Sequence, residues 1–389
     1  MYTPRKALIT LNLIPGLGSM RIQALLEFFG SAELVLEAPA ALLAQVPRVG
    51  AGLAEVISRW QECTNTEAEL ECAAQHGVRI VTLLDDDYPQ ALRSMPDPPV
   101  VLYMRGTLLP CDMQRAVSIV GSRMASPYGM TIARRFAREL AEAGCTVISG
   151  LARGIDSAAH QGALDAGGRT VAVLGNGLAH VFPAENADLA AHIEAGHGAV
   201  ISEFPMGVRP AKTTFPQRNR IVAAWSMATL VVEAPQHSGS LHTARLAAEN
   251  YGKSVFAVPG PVDRPTSAGC HALIRDGAIL CSSSHELLAD MQRTPEPKQL
   301  VLFAEESDGK SDSRPRRPKL PNDPVIRAIA DGADTLDALC VATGMAAREL
   351  TPQLMRLQVQ HVIKALPGAR YALVKYGGAN FQDISSKQA

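Results

Sequence analysis

Residues 116–175 read AVSIVGSRMASPYGMTIARRFARELAEAGCTVISGLARGIDSAAHQGALDAGGRTVAVLG. Three short runs rich in Val and Ile, at Ala116 to Val120, Thr146 to Ser149 and Thr170 to Leu174, alternate with helical patterns at Tyr128 to Ala143 and Ser157 to Ala166. Strand, crossover helix, strand is the order of a parallel sheet covered on both faces. The alternation continues outward. Further strands are expected at Ala199 to Ser202, Thr229 to Glu233 and Ser254 to Val258, with helices at Asn186 to Ala195, Arg218 to Trp225 and Ser240 to Tyr251. The expected fold class is therefore α/β, a Rossmann-like doubly wound parallel sheet over residues 76–292. Such sheets bind ligands beyond the carboxyl ends of their strands.

Four strand-end loops carry the chemistry. After the first strand comes Gly121-Ser122-Arg123, then Ser126-Pro127 and a helix. Small residues before a helix start leave N–H donors and the positive end of the helix dipole for an anion, and a guanidinium fork fits phosphate. Ser149 to Asp156 repeats the pattern with Gly150, Arg153 and Gly154. Asp156 and His160 on the following helix are expected to be structural, Asp156 capping the helix and His160 bonding locally. Arg209 to Arg220 holds four cations (Arg209, Lys212, Arg218, Arg220), no acid, and Phe215 and Asn219 among them. Cations with an interleaved ring suit an unstacked nucleic-acid strand; alternatively, Arg218 and Arg220 form internal ion pairs. Ser238-Gly239-Ser240 opens a further helix and extends the anion site.

The 389 residues carry a net charge of only −1, so a nucleic-acid site must be local. It is. Residues 121–154 hold five arginines against two glutamates. The seven cysteines are scattered without a CxxC pair, so neither a disulfide framework nor a metal site is expected. No leader-like or membrane-spanning apolar stretch occurs, and a cytoplasmic protein is expected. Gly175-Asn176-Gly177 lacks the third glycine of a dinucleotide fingerprint, and Gly252-Lys253-Ser254 has Ala247 where a P-loop needs glycine. No catalytic residue and no cofactor is expected.

Residues 1–75 read as a helical module, with apolar helical spacing at Arg21 to Phe29 and Gly52 to Glu71. Its two similar turns, Ile14-Pro15-Gly16-Leu17-Gly18 and Val46-Pro47-Arg48-Val49-Gly50, resemble helix-hairpin-helix turns. Such turns serve either DNA phosphates or protein packing. Residues 293–321, rich in Pro and charge, read as a flexible linker. Residues 322–378 read as three helices and a hairpin turning at Pro367-Gly368, a winged-helix-like domain whose third helix is poorly basic.

Gly121-Ser122-Arg123, Ser149 to His160, Phe215 to Arg220, Ser238 to Ser240 and Val258-Pro259-Gly260, in this order, resemble the DNA processing protein A (DprA/Smf) family. The resemblance implies a homodimeric single-stranded DNA-binding protein that loads RecA recombinase during natural transformation. It implies DNA contacts at Arg123, Lys212 and Phe215, and a SAM-like N-terminal module. Trp225 and His242 depart from the family's usual aliphatic residues. A related branch cleaves nucleoside monophosphates, but carries a Pro-Gly-Gly-x-Gly-Thr turn where this chain has Gln236 to Ser240. In the linker, Gln299, Leu300, Leu302 and Phe303 resemble a peptide that docks on the replicative sliding clamp, with a strand packed on the sheet as the alternative.

Overall fold

The computed structural model describes residues 2–292, 324–330, 333–359, 363–366 and 370–373. They fall in two units that divide after Gln299. The linker 293–321 with its clamp-like peptide, and the Pro367-Gly368 turn, lie outside the described residues.

In the first unit one sheet carries β1 (Arg79–Thr82), β2 (Val101–Gly106), β3 (Ala116–Val120), β4 (Thr146–Ser149), β5 (Thr170–Val173), β6 (Gly198–Ser202), β7 (Ala228–Val231), β8 (Ser254–Ala257) and β9 (Ile279–Leu280). Their order is β1-β2-β6-β5-β4-β3-β7-β8-β9. From β6 to β9 every pairing is parallel. The parallel part of the sheet thus starts at β3, winds to β6, and returns to the other side of β3 as β7. The six expected strands are all present. The sequence reading missed β1 and β2, which add an antiparallel edge, and the two-residue β9.

Successive residues of one strand feed opposite layers, as a period of two requires. Val147 joins the core beneath the Pro127–Glu142 and Ile155–Asp165 helices with Phe136 and Leu140. Ile148 joins the opposite core with Ile221 and Trp225 of the Thr214–Trp225 helix. Trp225 is buried and its Nε1 donates to the Asp112 carbonyl at 2.7 Å, which accommodates this bulky departure from an aliphatic residue.

Two helix expectations need correction. The Thr214–Trp225 helix begins four residues before Arg218, so Phe215 sits in its first turn. Gly52 to Glu71 is split into Ala51–Ser58, Trp60–Cys63 and Thr66–Gln75, because Thr64 is extended and the Asn65 side chain caps a new helix by accepting from Ala68 N–H. The N-terminal helices share a core with Tyr103, Leu174 and Val200 of the sheet region. Arg21 donates to the carbonyls of Gly16 and Arg48, tying together the two similar turns.

The second unit contains helices Pro324–Ala330, Leu336–Thr343 and Ala347–Val359 and an antiparallel pair, Ile363–Leu366 with Arg370–Leu373. Val325, Leu339, Leu350, Leu354 and Ile363 form its core.

Candidate nucleic-acid interface

A doubly wound sheet opens a crevice where the crossovers change direction. Here that point lies between β3 and β7. A crevice of about 700 Å³ occupies it, lined by Gly121, Ser122, Arg123, Lys212, Phe215, Arg218, Asn219, Ser238, Gly239 and Ser240 among others. Ten sequence-predicted residues from three separate loops therefore meet in one place.

Several N–H donors of the glycine-rich loops are taken by internal carboxylates. At the first, Glu233 sends its carboxylate from the end of β7 to the start of the Pro127–Glu142 helix, where Oε2 accepts from Ser126 N–H at 2.9 Å and Ser126 Oγ–H at 3.1 Å. The Ser126 hydroxyl in turn accepts from Gly129 N–H at 3.1 Å. An internal anion thus already occupies this helix N-terminus. Gly129 is required there, since a Cβ would lie 2.0 Å from Glu233 Oε2. Ser122 is buried, its N–H donates to the Glu233 carbonyl at 2.6 Å and its hydroxyl accepts from Met124 N–H.

The second loop is closed in the same way. Asp156 does not cap its helix as expected; Gly154 holds that position. Instead the Asp156 carboxylate reaches back to accept from Gly150 N–H at 3.1 Å and Ala152 N–H at 3.4 Å. Burial pushes its pKa up, against the opposing pull of Arg218. Gly154, at φ +76°, passes so close to the first loop that a Cβ would lie 2.3 Å from the Ser122 carbonyl oxygen. Gly150 and Gly154 are therefore close-approach positions, and neither lines the crevice. His160 is fully buried, its Nδ1 is 2.7 Å from Thr170 Oγ1, and burial followed by Arg218 depresses its pKa to about 3. It stays neutral.

The cations separate into two kinds. Arg218 is 4% exposed and its guanidinium donates to the carbonyls of Gly150, at 2.7 Å, and Val173. Burial lowers its pKa to about 10, partly offset by Asp156. Arg220 pairs with Asp97 at 3.3 Å and with Glu203. Both were expected at the DNA interface, with internal ion pairs as the alternative; carbonyls hold Arg218, which lines the crevice, and carboxylates hold Arg220, which does not. Arg153 is exposed but engaged bidentately by Glu185 at 2.6 and 2.8 Å. Asn219 accepts from Arg218 Nε at 3.2 Å. The Ser238 hydroxyl caps the Gly239–Arg245 helix by accepting from Ser240 N–H, and lies 2.7 Å from Ser240 Oγ.

Arg123 and Lys212 are different. Both are exposed at the crevice, and among the described residues no carboxylate pairs with either. Arg123 Cζ lies 4.7 Å from the Phe215 ring centroid. Phe182, 43% exposed, tilts against the same ring at 5.9 Å. Gly175 supplies the space, since a Cβ there would lie 2.8 Å from Phe215 Cδ1. The sequence reading missed Glu233, Phe182 and the purpose of Gly175, each a contact between segments far apart in the chain.

These features define a class: a Rossmann-like protein whose crevice neutralises its own glycine-rich loops with internal carboxylates and offers a partner two free cations and a ring. Comparison with known proteins gives the family. Residues 79–292 match the family described as DNA recombination-mediator protein A. The chain is 33% identical over 383 residues to Protein Smf of Synechocystis sp., covering 92% of this chain and 96% of that protein. It is 38% identical over 285 residues to Protein Smf of Escherichia coli, covering 72% and 74%. A solved structure of DNA processing protein A from Streptococcus pneumoniae superposes with a TM-score of 0.65 at 33% identity, over 75% of this chain and 99% of that one. The chain belongs to the DNA recombination-mediator protein A family, also called DprA or Smf.

Proposed function

We propose that this protein holds single-stranded DNA across the β3–β7 crevice and delivers it to RecA recombinase during natural transformation, without covalent chemistry of its own. The observation that carries the reading is the unpaired Arg123 lying over the half-buried Phe215, with Lys212 beside them. A mononucleotide phosphate pocket needs a cradle of free backbone donors. Here Glu233 and Asp156 take up Ser126, Gly150 and Ala152 N–H of the first two loops. Exposed cations and a ring suit a continuous backbone with unstacked bases. A cation over a ring at an exposed site is worth about 0.5–1 kcal/mol. Arg123 can therefore exchange that contact for a phosphate and free the ring for a base. The family description, a DNA recombination mediator, supports a recombinase as the recipient; a second copy of the chain is part of the proposal.

Fluorescence anisotropy of labelled single-stranded and duplex oligonucleotides over a salt series tests this. The expected result is preference for the single strand and a salt slope set by the number of phosphates neutralised. If the folded protein binds neither, the crevice serves a small phosphorylated ligand, and nucleoside monophosphate hydrolysis becomes the reading to measure.

A further inference from the structure

A second cavity, of about 330 Å³, opens at the carboxyl ends of β7 and β8, one strand beyond the crevice. Neighbouring strands lie ~4.8 Å apart, so the two openings succeed one another along one sheet edge. The same loops divide them: Met124 and Thr266 line the crevice, Ser126 and Ser267 the cavity. Its walls are apolar, from Val232, Val258, Pro259 and Pro261. Tyr128 stands at the opening with half its surface exposed, and Arg264, also exposed, lines it. Glu233 lines the cavity although only 5% exposed. Both of its hydrogen bonds fall on Oε2, and Oε1 takes none among the described residues.

Apolar walls with one fixed acceptor are the composition of a specific ligand pocket. We propose that this cavity takes a nucleobase bearing an exocyclic amino group, which donates to Glu233 Oε1 while the base stacks on Tyr128 and Arg264 meets the adjoining phosphate. The inference rests on the reading of the crevice as a single-stranded DNA site and extends its footprint by one strand position. It also gives that site a base preference. Cytosine and adenine offer an amino donor to the acceptor, and thymine offers only a carbonyl oxygen at the corresponding position.

The test is anisotropy with oligo-dC and oligo-dT of equal length, using wild-type protein, Glu233→Gln and Tyr128→Ala. Wild-type protein is expected to bind oligo-dC about three- to ten-fold more tightly. In Glu233→Gln the amide oxygen remains the acceptor for Ser126 N–H, which turns Nε2, a donor, into the cavity. The preference then disappears or moves to oligo-dT. Tyr128 is half exposed and its removal leaves the core intact; Tyr128→Ala is expected to weaken oligo-dC binding about five-fold or more by loss of stacking. Equal wild-type affinity for the two oligonucleotides overturns the inference and leaves the crevice reading standing. An undiminished dC preference in Glu233→Gln, or wild-type dC affinity in Tyr128→Ala, does the same. Absence of binding to either oligonucleotide by wild-type protein overturns both.

Discussion

The lip and the floor of the crevice are built from the same residue types and behave oppositely. On the lip, Arg123 and Lys212 are exposed and without an acidic partner among the described residues. On the floor, Arg218 is buried against two carbonyls with Asp156 nearby, and further along the same helix, away from the crevice lining, Arg220 pairs with Asp97 and Glu203. Arg218 lies three residues from Phe215 in one helix. What separates the two kinds of cation here is whether groups from distant segments reach the guanidinium, carbonyls at Arg218 and carboxylates at Arg220. A basic cluster in sequence is thus an upper bound on a basic surface.

The comparison breaks most visibly if a floor residue can be removed without penalty. Arg218→Ala leaves the buried Gly150 and Val173 carbonyls without their donor and Asp156 without a nearby positive charge, and each buried acceptor left unsatisfied typically costs about 1–3 kcal/mol. Urea unfolding at neutral pH is expected to show a loss of that size, and stability near that of the wild type would move Arg218 to the lip. His160 gives the next largest effect. Its folded pKa lies near 3, below the ordinary 6.5, so the unfolded chain binds the extra proton between those values. Stability from this residue is complete above about pH 6.5 and is lost as pH falls towards 3, by roughly 2–3 kcal/mol between pH 6 and pH 4. His160→Gln is expected to flatten the stability profile of the wild type by that amount over this window. Equal profiles would mean that His160 is solvated.

How far such distinctions are legible in sequence depends on the range of the contact that makes them. Buried parallel strands announce themselves locally, as Val147-Ile148 shows by feeding two cores from adjacent positions. β1 and β2 did not, because Arg79–Thr82 is followed by Asp- and Pro-rich turns and pairs with Val101 to Met104 beyond them rather than through a crossover helix. The strand-end loops with Arg123, Lys212 and Phe215 were readable from glycine, charge and ring spacing. The partners that disarm Arg218, Arg220 and the glycine loops were not. Glu233 bonds Ser126 across 107 positions, and Arg220 meets Asp97 across 123. No window of sequence contains both ends.

On the lip the effects should appear in binding and leave stability alone. Arg123→Glu places an anion at the proposed phosphate contact, and a loss of about thirty-fold in single-stranded DNA affinity, near 2 kcal/mol, is expected with an unchanged unfolding midpoint. A mutant that loses stability as well would put Arg123 in the frame with Arg218. Lys212→Ala is the finest test, since it removes one exposed charge and nothing else. If Lys212 neutralises a single phosphate, the log–log salt slope for single-stranded DNA falls by about 0.7 and affinity at moderate salt by only a few-fold. The slope matters more than the affinity here, because a lost packing contact would weaken binding at every salt concentration without changing it. An unaltered slope in Lys212→Ala would leave Arg123 to hold the backbone alone, and the lip would shrink to one guanidinium and its ring.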